Sequence, residues 1–168
     1  MNKPLPDEYA QFYSGYINMV GDAPILAQLE ELKNSSYNFF AGLTDEQGDY
    51  AYAEGKWTIK ELLGHIIDAE RTFAYRILAF SRGQEELPGF DENTYVEKST
   101  FNSRSLIGLA EEFRATRESN LYLLRSLNDQ QIAATGIANN NKISVRALIY
   151  IMAGHELHHL KIIKERYL

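Results

Sequence analysis

The sequence predicts an all-α fold, an up-and-down four-helix bundle with long inter-helix loops. Four segments place apolar residues at helical spacing, the stretches between them are rich in Gly, Pro and Asn, and no segment sustains the period-two alternation of a strand.

The first bundle helix is expected to open near Asp22 with Pro24 in its first turn, to bury Ile25, Leu29, Leu32, Phe39 and Phe40, and to end at Gly42. Thr58 and Glu61 have capping-box spacing, so the second starts at Thr58 and runs through Ile59, Leu62, Ile66, Phe73 and Ile77 toward Gly83, with Trp57 as a staple just outside. The third is expected from about Ser103, carrying Leu106, Leu109, Phe113, Leu124 and Leu127. The fourth starts at Ser144 and carries Val145, Leu148, Met152 and Ile163. Ahead of the bundle, an arm with Tyr9, Phe12, Tyr13 and Tyr16 is expected to pack across it. The connection from Gly83 to Asn102 is long enough to be a functional lid or a structural crossover. Asn139, Asn140 and Asn141 form a turn that suits the tip of a short hairpin. TIKELL at Thr58 and SVRALI at Ser144 are each followed by a Gly-His pair, an echo too common among helix starts to establish a duplication.

Composition narrows the partners. A chain of 168 residues, 45% of them hydrophobic, suits one domain over 1–168. The net charge of −6 disfavours nucleic acid and anionic lipid. Lys3, Pro4, Pro6, Asp7 and Glu8 make no signal-peptide core, and the longest apolar stretch is far short of a membrane span, so a cytoplasmic location is expected. With no cysteine, a metal site must be built from His nitrogen and carboxylate oxygen.

The four histidines fall in two places, His65 in GHIIDAE and His155, His158 and His159 in GHELHH. His155 and His159, four residues apart, project from one helix face as chelation of a single ion requires, while His158 points about 100 degrees away from His159. If the second and fourth helices run parallel, His65 meets the His155–His159 turn, and three neutral imidazoles leave a divalent ion with open positions, as in catalytic sites. The competing reading is a set of unrelated core or surface histidines.

HELHH also matches the zinc-protease pattern, with Glu156 as candidate general base, but only nine residues follow His159 and none is a histidine that could act as third ligand. A di-iron centre would need a second Glu-x-x-His unit, which is absent. Glu70, Arg117, Asn120 and Glu156 also face inward. Taking the second and third helices as antiparallel, Glu70 pairs with Arg117 and Asn120 lines the cavity beside His65. Asp68 points away and is expected to be solvated or to orient a ligand.

GKWTIKELLGHIIDAER from Gly55, LPGFDENTY from Leu87 and AGHELHHLKIIKERYL from Ala153 resemble the DinB-like, or YfiT-like, family of four-helix metalloproteins over nearly the whole chain. The family's triad, one His on the second helix and a His-x-x-x-His pair on the last, maps onto His65, His155 and His159. The resemblance implies one divalent ion, nickel or zinc, in an open pocket, and a homodimer. It also implies a small-molecule substrate, since related members include thiol transferases using bacillithiol or mycothiol and a thiol-dependent isomerase. Activation of a low-molecular-weight thiol is therefore expected, with metal-assisted hydrolysis next. The alternative is a non-catalytic metal or small-ligand binding module, kept open because Glu156 is the one general base in view.

Overall fold

The computed structural model describes residues 1–168. The N-terminal arm ends in α1 (Ser14–Met19), and the first bundle helix is α2 (Ile25–Ala41), with Pro24 at its N-cap and Gly42 at its C-cap. A short α3 (Asp45–Gly48) leads to α4 (Ile59–Ser81). Thr58 Oγ1 accepts from Glu61 N while the Glu61 carboxylate accepts from Thr58 N, the reciprocal cap that the spacing predicts. After α4 come β1 (Glu86–Leu87), α5 (Glu92–Glu97), a 3₁₀ turn over Phe101–Ser103 and α6 (Leu106–Arg125). The chain closes with α7 (Asp129–Ala133), β2 (Thr135–Ala138), β3 (Asn141–Ser144) and α8 (Val145–Arg166).

The bundle is all-helical as expected, and its helix directions depart from simple alternation. The start of α4 (Ile59, Leu62, Leu63) shares one apolar cluster with the start of α6 (Leu106, Leu109) and the end of α8 (Leu160, Ile163). Its far end (Phe73, Ile77, Phe80) shares another with the end of α6 (Leu121, Leu124) and the start of α8 (Val145, Leu148). Hence α4 and α6 are parallel and α4 and α8 antiparallel, the reverse of both expected directions. The Tyr167 hydroxyl, just past α8, accordingly donates to the carbonyl of Trp57, just before α4. Helices α2 and α6 pack closely, as do α4 and α8, so consecutive α2 and α4 lie across a diagonal.

Two parallel neighbours cannot be joined by a tight turn, so the 83–102 segment is the crossover between α4 and α6. It is no bare loop. Its β1 pairs in parallel with β2 (Glu86↔Ile137, Leu87↔Ala138), which pairs antiparallel with β3. The β2–β3 hairpin turns at Asn139 and Asn140, with φ of 51° and 61°, the left-handed pair that a two-residue hairpin turn needs and that Asn tolerates. The third helix starts at the Ser105 cap, two residues beyond Ser103, because Phe101–Ser103 form their own turn; Leu127 is buried just past its end.

Both Gly-His pairs of the sequence have a packing reason. A Cβ at Gly154 would sit 2.1 Å from the Tyr16 carbonyl oxygen, and one at Gly64 would sit 2.3 Å from the Phe101 ring. Each glycine lets a crossing segment lie directly on a bundle helix, one residue before an imidazole of the site. The arm is further held to α8 by the Glu8–Arg146 ion pair.

Candidate metal centre

His65 lies six residues into α4 and His159 seven residues before the end of α8, so the antiparallel pairing brings them to one level. His65 Nε2 is 2.9 Å from His155 Nε2, which is 3.0 Å from His159 Nε2. The three donor atoms lie within 4.8 Å of one another. Trp57 stands against the His65 ring at 4.9 Å between centroids, rather than simply stapling the helix end. Tyr16 and Phe73 meet the His155 ring edge-on at 5.5 and 5.6 Å. His158 points elsewhere, its ring against Tyr16.

This packing removes water from the imidazoles and disfavours their charged form. Burial lowers the pKa of His65 to about 4, and burial followed by the neighbouring His65 and His158 lowers that of His159 to about 3. His155 is pushed well below the ordinary histidine range, first by burial and then by the other three histidines. Neutral imidazoles with converging Nε2 atoms repel through their lone pairs unless a donor or a cation lies between them. Ligand bonds of about 2.0–2.1 Å put nitrogens roughly 3–4 Å apart around one ion, so the set fits a divalent metal. The His159 Nδ1 is buried without a protein partner, so no hydrogen bond on its far side orients that ring.

The imidazoles open into a cleft of about 470 Å³, walled by Phe12, Tyr13 and Tyr16 of the arm, Trp57, Ala69, Phe73 and Arg76 along α4, Phe90 and Glu92 of the crossover, and Asn139 of the hairpin. The crossover is thus both a structural connection and part of the wall. Sequence reasoning placed the arm aromatics on the bundle without assigning them to the cleft, and it missed Arg76 although the signal was available. Residue 76 is eleven positions after His65, three turns along the same face.

Two expected site residues lie elsewhere. Glu156 is fully buried outside the cleft, where Arg117 Nη2 donates to its Oε2 at 2.7 Å and Ser36 donates to its Oε1, so no oxygen is free to take a proton from substrate. Asn120 Nδ2 donates to Glu70 Oε1 at 3.1 Å and does not line the cavity. Both belong to a closed layer centred on Arg117, whose Nε and Nη2 grip the two oxygens of Glu70 at 2.7 and 2.9 Å. The expected Glu70–Arg117 pair is present although the expected direction is reversed, because mid-helix residues meet whichever way the helices run. Asp68 faces Arg71 at 3.6 Å.

Fold and site together define a helical bundle that offers three neutral imidazoles to an open cleft, a make-up that suits a metal protein. The model of the DinB superfamily matches residues 28–163, and the chain belongs to that superfamily. It is 28% identical over 141 residues to an Oceanobacillus iheyensis protein named "Putative metal-dependent hydrolase OB0413", covering 83% of this chain and 81% of that one. A second protein of that organism, "Putative metal-dependent hydrolase OB0782", is 27% identical over 162 residues, 95% and 93% of the two chains. Among solved structures, YfiT from Bacillus subtilis, described as a probable metal-dependent hydrolase with an unusual four-helix bundle topology, superposes with a TM-score of 0.72 at 21% identity, covering 97% of this chain and 90% of its own. The DinB-like protein YjoA of Bacillus subtilis gives 0.61 at 19% identity, over 85% and 89%. No helix is long and apolar enough to cross a membrane.

Proposed function

We propose that His65, His155 and His159 hold one divalent metal ion and that the protein is a metal-dependent hydrolase of a small molecule bound in the adjoining cleft. The carrying observation is the convergence of three desolvated Nε2 atoms on the wall of a cleft with no protein carboxylate among them. The names of the Oceanobacillus iheyensis relatives support the reaction class. An ion held by three neutral ligands supplies Lewis acidity and lowers the pKa of a water or thiol brought to it. The chain's own contribution is to orient and to dry the site. Trp57 packs on the His65 ring and Tyr16 and Phe73 on the His155 ring, and the arm and crossover close the cleft sides.

With Glu156 committed to Arg117, the ionisable groups left in the cleft are Glu92, Tyr13, Tyr16 and Arg76. Burial raises the pKa of both tyrosines, so they are hydrogen-bond donors near neutral pH rather than bases.

Thiol transfer is the second reading, favoured by the aromatic walls and by a cysteine-free chain that would need its thiol as a co-substrate. Ester, amide and thiol-conjugation panels, run on protein loaded with zinc or nickel and on His159→Ala, separate the two. Hydrolysis that needs both the metal and His159 is expected. Metal-dependent conjugation without hydrolysis would replace that reading with the transferase one.

A further inference from the structure

Six charged side chains are buried in this protein, namely Lys33, Lys60, Glu70, Arg76, Arg117 and Glu156. Five have an opposite charge in contact. Lys33 meets Glu30 and Glu118, Lys60 meets Asp49 at 2.8 Å, and Arg117 joins Glu70 and Glu156. Arg76, only 4% exposed, has none. Its Nη2 donates to the Pro88 carbonyl at 3.2 Å, and the Tyr13 hydroxyl is a further polar neighbour. Burying a guanidinium without a counter-charge costs several kcal/mol, and such a cost persists where the missing anion arrives with a ligand.

The surroundings point the same way. Arg76 lines the cleft that holds the three imidazoles. A guanidinium has five N–H donors, and none of the Arg76 nitrogens is sealed without a partner, so its unused donors reach open space, where the side chain lines both this cleft and the adjoining pocket bounded by Arg71, Tyr75 and Tyr95. Glu92 shares the cleft but is exposed and forms no ion pair with Arg76.

We infer that Arg76 is the carboxylate-binding end of the substrate cleft, so that the substrate is an elongated molecule with a carboxylate at Arg76, an apolar middle over Phe73 and Phe90, and its reacting group at the imidazoles. A carboxylate fits better than a phosphate, because one guanidinium neutralises one negative charge and matches a carboxylate bidentately, whereas a phosphate dianion would keep a charge among aromatic walls. Length follows from the helix. Eleven residues separate His65 from Arg76, about 16 Å of rise, so the substrate spans the cleft rather than crowding the imidazoles. The inference rests on the proposed function only for where the reacting group lies. The carboxylate end stands on Arg76 itself.

Trp57, the single tryptophan, lines the cleft and reports occupancy by fluorescence. The test titrates 6-phenylhexanoate and 6-phenylhexanamide into zinc-loaded protein, the same protein after chelation, Arg76→Gln and Arg76→Lys, with circular dichroism as the folding control. The carboxylate is expected to bind about tenfold more tightly than the amide with or without zinc, from a charge-assisted contact worth about 1.5 kcal/mol or more. The preference should fall to near unity in Arg76→Gln and survive in part in Arg76→Lys. An undiminished preference in Arg76→Gln, or its loss on chelation with Arg76 intact, would overturn the inference, the second by placing the carboxylate on the ion. Inorganic phosphate displacing the probe at lower concentration than acetate would overturn the choice of carboxylate. Failure of the purified protein to bind zinc contradicts the proposed function, and the chelated-protein titration still decides the role of Arg76.

Discussion

Two buried polar groups sit side by side in the middle of this bundle, and they solve the same problem in opposite ways. Around Arg117, charge is matched inside the protein, with two oxygens of Glu70, one of Glu156, the Leu29 carbonyl and the amide of Asn120 closing the layer. Around His65, His155 and His159, charge is excluded instead. Burial holds the rings neutral, and their Nε2 atoms face one another and an open cleft. A closed polar layer specifies packing. An open one with converging ring nitrogens suits a cation. Glu156 and His155 are adjacent in sequence yet fall on different sides of this divide, because successive helical residues point about 100 degrees apart.

The comparison breaks most violently at Arg117. Arg117→Ala strands Glu70 and Glu156 in a dry interior and should destabilise the fold by about 3–5 kcal/mol, seen in urea unfolding. Truncating a histidine of the triad strands no charge, so His159→Ala should cost far less in stability while abolishing metal binding. Equal destabilisation by the two variants would erase the distinction.

Acid provides the next test. The metal-free protein keeps His65 neutral down to about pH 4, whereas the unfolded chain protonates it near 6.5. Between those values the unfolded state holds more protons, so stability is full above about pH 7 and falls as pH drops through 6.5 toward 4, by on the order of 3 kcal/mol for this group. Bound metal should hold the rings unprotonated and move the loss to lower pH. A metal-free protein whose unfolding midpoint is flat from pH 7 to 4.5 would contradict the desolvated, neutral cluster.

Smaller effects should come from the two glycines. Gly154→Ala presses on the backbone of Tyr16, which cannot turn aside, and should cost about 1–3 kcal/mol while loosening the arm to proteolysis. Gly64→Ala meets a side chain, the Phe101 ring, rather than backbone, and should cost less. The reverse order would mean that the arm is not seated on α8.

Much of this was legible in the sequence, for reasons that also mark where legibility stops. Thr58, Glu61 and Ser144 announce helix starts because caps are local, and His155 and His159 share a face because a helix repeats within one segment. Helix direction is not local. Nothing in α4 or α6 says that they run parallel, and the clue was the length of the crossover, which suited a lid equally well. The inward placement of Glu156 was legible, but its partners were not, since Ser36 and Arg117 come from two other helices. Gly64 and Gly154 looked like a chance echo until the segments crossing them were in place. Arg76 went unnoticed although its spacing puts it on the face of His65, because that spacing alone does not separate a ligand-binding arginine from a paired one, and the lack of any ion pair to it gives it meaning.

The central claim is that three particular imidazoles, and not the fourth, create the cation site. The direct measurement is metal content after equilibrium dialysis against zinc or nickel, for the wild-type protein and the four single His→Ala variants. One ion per chain is expected for wild type and His158→Ala, and none for His65→Ala, His155→Ala and His159→Ala. A full equivalent of metal retained by folded His159→Ala, or lost from folded His158→Ala, would contradict the account.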